Sequence, residues 1–382
     1  MFVTAIEILT LILSILYTTG VIILLVGLKS SFKKGGPSQR MSIHYPTVTV
    51  IVPARNESSN IRDIVKDLKT QDYPPEKTEF LIIDDFSEDD TYAIASLEIE
   101  DDDRFKLVKL SEQERFLAEG NLSAKKRVVD FGIKYSQSEI VLFTDADCRV
   151  KPQWISSMIA KYDDDVALVT GHVGFSVKSF FHGVLALESL ATRIIAAGTI
   201  GLGNPVTCAG GNLSYRRQLY FDVGGLRDSR KSFSGDDTLL IQAAGAAGKK
   251  LMFNFDPQSF VQTEERGTLK EIIITRIRRL GITPQFKLDL MTISGSLFLY
   301  CWILALTPIL IAIDASLALP LIFAWIWKFL FDFIILRTGA GMLRSGHLMK
   351  YLPVTALLYP YFIAFVGTVS FFIRGTWKGR KS

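Results

Sequence analysis

The chain has 382 residues, 48% of them hydrophobic, a mean hydropathy of +0.26 and a formal net charge of +4. That apolar excess excludes an ordinary soluble protein, and the length accommodates one large or two small globular units plus membrane spans. The charge is too small for this length to mark a nucleic-acid-binding protein, so no nucleic-acid partner is expected. Lys and Arg cluster instead beside apolar segments, as at a membrane surface. Cys148, Cys208 and Cys301 form no C-x-x-C pair and fit a reducing compartment.

From Ile8 to Leu28 the sequence carries no charged residue, enough for a helix across a hydrocarbon core of ~30 Å. Glu7 precedes the run, Lys29, Lys33, Lys34 and Arg40 follow it, and no A-x-A cleavage pattern is present. Residues 1–29 therefore read as a retained anchor. The positive-inside rule places the chain after it in the cytoplasm.

Residues 40–287 have a globular composition. Val48-Thr-Val-Ile-Val-Pro53 predicts a buried strand that ends in Ala54-Arg55-Asn56-Glu57, and a helix follows from Ser59 to Thr70. Glu79-Phe-Leu-Ile-Ile-Asp84-Asp85 predicts a second strand, with a helix cap at Ser87 to Thr91. A third strand at Phe105 to Leu110 precedes a helix at Ala124 to Tyr135, which carries Lys125, Lys126 and Arg127. Then comes Glu139-Ile-Val-Leu-Phe-Thr-Asp145-Ala-Asp147. Side chains two apart on extended backbone share a side, so Asp145 and Asp147 can aim at one point. Two hard oxygen ligands suit Mg2+ or Mn2+ that takes its other ligands from substrate phosphates.

This strand–helix alternation predicts a mostly parallel α/β sheet, whose ligands gather beyond the strand C-termini. Pro53, Asp85 and Asp145 all fall there. Such an edge fits a nucleotide-diphosphate substrate, with Asp85 accepting from a base N–H and the Lys125 helix either meeting phosphate or forming a solvated face. No G-x-x-x-x-G-K-[ST] loop occurs and no G-x-G-x-x-G follows a strand, which excludes P-loop and dinucleotide-binding chemistry.

Gly183 to Gly203 is apolar but carries Glu188 and Arg193, so it reads as an amphipathic or buried helix, either packing on the sheet or lining an acceptor entrance. Gly210-Gly211-Asn212 reads as a tight turn into a strand where backbone can approach a ligand closely. Asp236 and Asp237 open a helix from Thr238 to Ala247. A carboxylate there is either a cap or the general base that an acceptor hydroxyl needs at neutral pH. Leu269 to Leu280 is basic and amphipathic, suited to lie on anionic lipid within an interfacial stretch near 269–287.

Three apolar segments occupy 291–373: Met291 to Ile313, Leu317 to Leu336 and Tyr351 to Ile373. Lys328 and Asp332 lie four apart in the second and can neutralise each other. Four full spans would leave the basic tail of Arg374, Lys378, Arg380 and Lys381 outside. Either one C-terminal segment is re-entrant or interfacial, or the tail breaks the positive-inside rule.

In this order the motifs resemble family 2 glycosyltransferases of GT-A fold: Val-Ile-Val-Pro-Ala-Arg-Asn-Glu, Ile-Ile-Asp-Asp-Phe-Ser, Phe-Thr-Asp-Ala-Asp-Cys, Gly-Gly-Asn-Leu-Ser-Tyr-Arg-Arg and Gly-Asp-Asp. The resemblance implies inverting transfer from a nucleotide sugar, commonly UDP-linked, by one in-line displacement. It implies that Pro53, Arg55, Glu57, Asp85, Lys125 and Asp145 hold the nucleotide, that Asp145 and Asp147 hold the metal, and that Asp237 is the base. Gly211, Asn212, Asp236, Arg276 and Arg279 then line the acceptor and diphosphate side. The Gln-x-x-Arg-Trp motif of many membrane-bound relatives is reduced to Arg276-Ile-Arg278-Arg279-Leu280. With only three C-terminal segments, transfer of one or a few sugars to a lipid or membrane-embedded acceptor is favoured over processive polysaccharide synthesis. A catalytically silent membrane scaffold is a third reading, and the retained acids oppose it. The expected location is the cell membrane, multi-pass, with the catalytic domain cytoplasmic.

Overall fold

A computed structural model describes residues 1–37, 45–114, 116, 124–225, 236–264, 269–280, 288–370, 376–377 and 380–381. They form two compact units: Gly27–Ser176 with Thr192–Glu265, and Met1–Val26 with Val177–Ala191 and Arg266–Ser382.

The first unit is built on a seven-stranded sheet of order β3-β2-β1-β4-β7-β5-β8. Its strands are β1 (Val48–Ala54), β2 (Thr78–Asp84), β3 (Phe105–Lys109), β4 (Ile140–Phe143), β5 (Val166–Gly171), β7 (Leu213–Arg216) and β8 (Lys250–Asn254). β6 (Val173–Phe175) and β9 (Val261–Thr263) form a separate parallel pair. β1 runs parallel to both β2 and β4, and β2 to β3, so the predicted parallel half is present, in the order β3-β2-β1-β4. The runs Val48–Val52 and Phe80–Ile83 are wholly buried because helices cover both faces, which is why they read as unbroken apolar stretches rather than alternating ones.

β7 is the exception to the parallel pattern. It runs antiparallel to both β4 and β5, with Phe143 opposite Leu213. Its N-terminal end therefore lies at the same edge as the C-terminal end of β4.

Helices α2 (Ile61–Lys69), α3 (Thr91–Ile99), α4 (Ala124–Tyr135) and α5 (Trp154–Ile159) fill the crossovers. α2 buries Ile61, Ile64, Val65 and Leu68 in the core with Val50, Val52 and Trp154. The 34-residue helix α1 (Phe2–Gly35) is longer than the ~20 residues a bilayer core needs, and its basic end belongs to this unit. There the carbonyl of Gly35 accepts from Phe255 N at 2.9 Å, and Lys161 Nζ reaches the carbonyl of Gly36 at 2.5 Å.

α6 (Phe180–Gly201) is the helix expected over 183–203. Of its most apolar 18-residue stretch 61% is buried, against 22% for α1, so α6 is largely enclosed by protein. Its C-terminal part crosses α1 so closely that a Cβ on Gly27 would stand 2.2 Å from the carbonyl oxygen of Gly198. This is the small-residue contact by which membrane helices approach.

The second unit is helical, with α9 (Leu269–Leu280), α10 (Leu288–Ala305), α11 (Thr307–Ile313), α12 (Ala318–Met342) and α13 (Leu352–Ser370). α10 and α11 meet at a 56° bend, with Pro308 in the first turn of α11. The segment 291–313 is thus a broken span or a re-entrant loop, and not a straight helix. Lys328 Nζ lies 2.5 Å from Asp332 Oδ2, as the spacing predicts, and Tyr17 of α1 donates to the same carboxylate. Four helices among the described residues, α1, α6, α12 and α13, are long and apolar enough to cross a membrane, or five with the bent pair.

Candidate functional site

Register explains how the acids meet. Phe143 pairs with Ile51 on one side and with Leu213 on the other, so two residues further on Asp145 reaches the level of Pro53 and of Gly211. A Cβ added at Gly211 would lie 3.0 Å from Asp145 Oδ2 and 3.2 Å from Cys148 Sγ. One added at Gly210 would lie 2.8 Å from Asp237 Oδ2. The paired glycines therefore let one turn seat against both carboxylates, which any side chain there would crowd. A small cleft continues beneath them, lined by Pro53, Thr144, Asp145, Tyr215, Tyr220 and Asp237.

Asp237 lies in the first turn of α8 (Asp236–Ala246), which follows the short helix α7 (Arg217–Asp222). Its Oδ1 accepts from Thr238 N at 2.7 Å, while Oδ2 faces Gly210. The two readings of this residue are thus compatible: one oxygen is held by the helix end and the other faces the turn.

Asp147 is fixed from behind. Arg149 and Gln262 exchange backbone hydrogen bonds at 2.7 and 3.1 Å, and Thr263 Oγ1 donates to the Asp147 carbonyl. Ligand atoms of Asp145, Asp147 and Cys148 lie within 4.8 Å of one another. Burial, then the charges of Asp145 and Asp147, push the Cys148 thiol well above its usual range, and its soft sulfur matches the hard ions that carboxylates favour poorly. Two half-buried carboxylates remain, a hard donor set that fits Mg2+ or Mn2+.

On the donor side Arg55 is buried and its Nη1 donates to the Asp85 carbonyl at 2.9 Å. Asp85 N donates to the Ala54 carbonyl at 2.8 Å, which locks the β1 and β2 ends together. Glu57 N donates to Thr91 Oγ1, and the Glu57 carboxylate accepts from Asn60 Nδ2 at 2.5 Å. Asp85 is 1% exposed, with Arg127 Nη2 3.7 Å from its carboxylate. Before α3 the Asp89 carboxylate accepts from Thr91 N at 3.1 Å, while Asp90 at the N-cap makes no side-chain cap bond. Although burial acts the other way, hydrogen bonds from Thr91 and Ser58 lower the Asp89 pKa to about 2.

Two residues expected on the acceptor side have partners within the protein. Asn212 is wholly buried: its Nδ2 donates to the carbonyls of His172 and Ser259 at 2.9 and 2.8 Å, and its Oδ1 accepts from Trp154 Nε1 at 3.0 Å. With these groups engaged it braces the glycine turn from behind. Arg276 of α9 is 3% exposed and holds Glu188 of α6 through Nε and Nη2 at 3.1 and 2.9 Å, so its charge is matched inside the helical unit. The side chains of Lys125, Asp236 and Arg279 lie outside the described residues.

Sequence reasoning missed three participants. Gly210 was read as turn backbone, yet it is the residue that faces Asp237. Cys148 adjoins the acid pair, a signal visible in the sequence as Asp147-Cys148. Phe86, directly after Asp85, has φ 58° and lies under the Arg127 guanidinium.

Residues 49–224 match the family described as glycosyl transferase family 2, and residues 140–369 match glycosyl transferase family group 2. Glycosyltransferase AglE of Haloferax volcanii is 28% identical over 226 residues, 56% of this chain and 67% of that protein. Probable glycosyltransferase YdaM of Bacillus subtilis is 25% identical over 224 residues, and the match spans 56% of this chain and 50% of YdaM. Among solved structures, mannosyltransferase PcManGT from Pyrobaculum calidifontis, in complex with GDP-Man and Mn2+, superposes with a TM-score of 0.56 at 17% identity. That superposition covers 96% of this chain and 99% of PcManGT, and it speaks to the fold.

Proposed function

For a chain that belongs to glycosyl transferase family group 2, we propose an inverting glycosyltransferase that moves a sugar from a nucleotide diphosphate to a lipid or membrane-embedded acceptor at the cytoplasmic membrane surface. The observation that carries this reading is the turn Gly210–Gly211, which seats against the carboxylates of Asp145 and Asp237 at one sheet edge.

The residues divide the work. The nucleotide lies along the ends of β1 and β2, where Pro53, Arg55, Glu57 and Asp85 are locked together. A carboxylate such as Asp85 needs a donor, and uracil and guanine present a ring N–H beside a carbonyl, whereas adenine and cytosine do not. The donor is accordingly UDP-linked, with a GDP-linked sugar as the second reading because PcManGT was solved with GDP-Man. Asp145 and Asp147 would hold a divalent ion, which neutralises charge growing on the diphosphate as the glycosidic bond breaks. Asp237, through Oδ2, takes the proton of the acceptor hydroxyl as that oxygen attacks the anomeric carbon from the face opposite the leaving group.

The anchor α1, the interfacial helix α9 and the C-terminal helices support a multi-pass protein whose catalytic unit works beside the bilayer. Screening UDP- and GDP-sugars with purified protein in lipid nanodiscs, with mass spectrometry of the products, tests the reading. A single-sugar glycolipid is expected. Long polymers would replace it with processive synthesis, and turnover of no nucleotide sugar would sink it.

A further inference from the structure

Phe86 holds a backbone conformation that a phenylalanine rarely adopts. Its φ of 58° lies in the left-handed region, where glycine fits without cost and other residues are strained. Such conformations persist when their surroundings over-determine them, and they concentrate at functional sites. Here the surroundings do so on both sides. Asp85 is held through its N–H by Ala54 and through its carbonyl by Arg55. Ser87 N donates to Asp84 Oδ2 at 3.3 Å, and Ser87 Oγ accepts from Asn56 N at 3.0 Å.

What the strained position retains is a half-buried aromatic ring at the donor edge. The Arg127 guanidinium carbon stands 5.7 Å from the ring centroid, and Arg127 Nη2 is 3.7 Å from Asp85 Oδ1. Arg127 Nε is buried without a hydrogen-bond partner among the described residues. Ring and carboxylate thus orient a planar cation whose donors are not fully engaged.

We propose that Phe86 is a donor-positioning and specificity residue. Its ring forms the platform against which the nucleobase packs, and it holds Arg127 so that a guanidinium N–H meets a base carbonyl beside the ring N–H taken by Asp85. The proposal rests on the nucleotide-diphosphate reading of this edge.

Calorimetric titration of UDP and GDP into the purified full-length protein, with Mg2+ or Mn2+ present, tests it beside thermal unfolding of the same samples. F86G is expected to weaken the preferred nucleotide about tenfold or more, from the loss of base–aromatic stacking, while its Tm is unchanged or higher because glycine relieves the strain. F86W restores affinity to within about threefold, since it returns an aromatic face. Wild-type affinity in F86G overturns the proposal alone, as does parallel loss of Tm and affinity in F86G that F86W does not repair. If the wild-type protein binds neither UDP nor GDP, the nucleotide reading falls and takes the proposal with it.

Discussion

The two halves of the sheet handle polar residues in opposite ways. In the parallel half, β1 to β4, polar groups at the strand ends bond across strands, Arg55 to the Asp85 carbonyl and Asn56 to Ser87 and Glu88, and Glu57 bonds to Asn60 within the loop after β1. In the half built from β7, β5 and β8, the polar residues Asn212 and His172 are buried behind the site, and Asp237 is the carboxylate that faces the glycine turn. The first arrangement is a rigid cradle suited to a fixed ligand shape. The second is a braced wall with the partly buried Asp237 carboxylate at its edge. Variants should therefore separate chemistry from stability on the second half and blur them on the first.

The largest separation is expected at Asp237. Asp237→Asn should lower kcat about a thousandfold in a sugar-transfer assay, with thermal unfolding nearly unchanged, because it removes the base and keeps the helix-end oxygen. Asp145→Ala and Asp147→Asn should also remove most activity, together with its dependence on added Mg2+ or Mn2+. Unchanged activity with unchanged metal dependence would refute the site assignment.

Asn212→Ala should behave in the opposite sense. It leaves Trp154 Nε1 and the carbonyls of His172 and Ser259 without their buried partner, at ~2–4 kcal/mol, read as a lower midpoint in denaturant. Gly210→Ala sharpens the contrast between wall and brace. A methyl 2.8 Å from Asp237 Oδ2 should reduce kcat ~10- to 100-fold through misplacement of the base, with little effect on Tm.

The last effect appears only on acidification. Burial, and then the Arg193 charge, lower the His172 pKa to about 3, below its unfolded value of about 6.5. The unfolded chain therefore binds the proton first, so this contribution is fully present above pH 6.5 and is lost as pH falls toward 3. His172→Phe should flatten that part of the stability profile, measured by unfolding at successive pH values.

Much of this could be read from the residues because period and punctuation agreed. β-branched runs ending in acids placed β1, β2 and β4 closely, and Asp145-Ala-Asp147 announced its own geometry. The cross-strand partners of β7 were hidden. Its antiparallel direction is a pairing choice that no local pattern encodes, and with it went the role of Gly210. The buried partners of Asn212 were hidden for a related reason: an amide beside a glycine turn has the same letters whichever way it points, and only its contacts with Trp154, His172 and Ser259 decide. The Arg276 pairing was hidden because its partner Glu188 lies 88 positions earlier in the chain. The break at Leu306 had a signal in Pro308, although the hydropathy of the segment concealed it.

The reversed direction of β7 also orders events in time. The cradle and both metal-facing acids are synthesised by residue 147, but the strand that brings in the glycine turn, and then Asp237, follows only after α6 has emerged. At typical elongation rates roughly 90 residues separate Asp147 from Asp237, an interval of ~5–20 s. A nascent chain thus carries the residues proposed to hold the nucleotide before it carries Asp237, the proposed base.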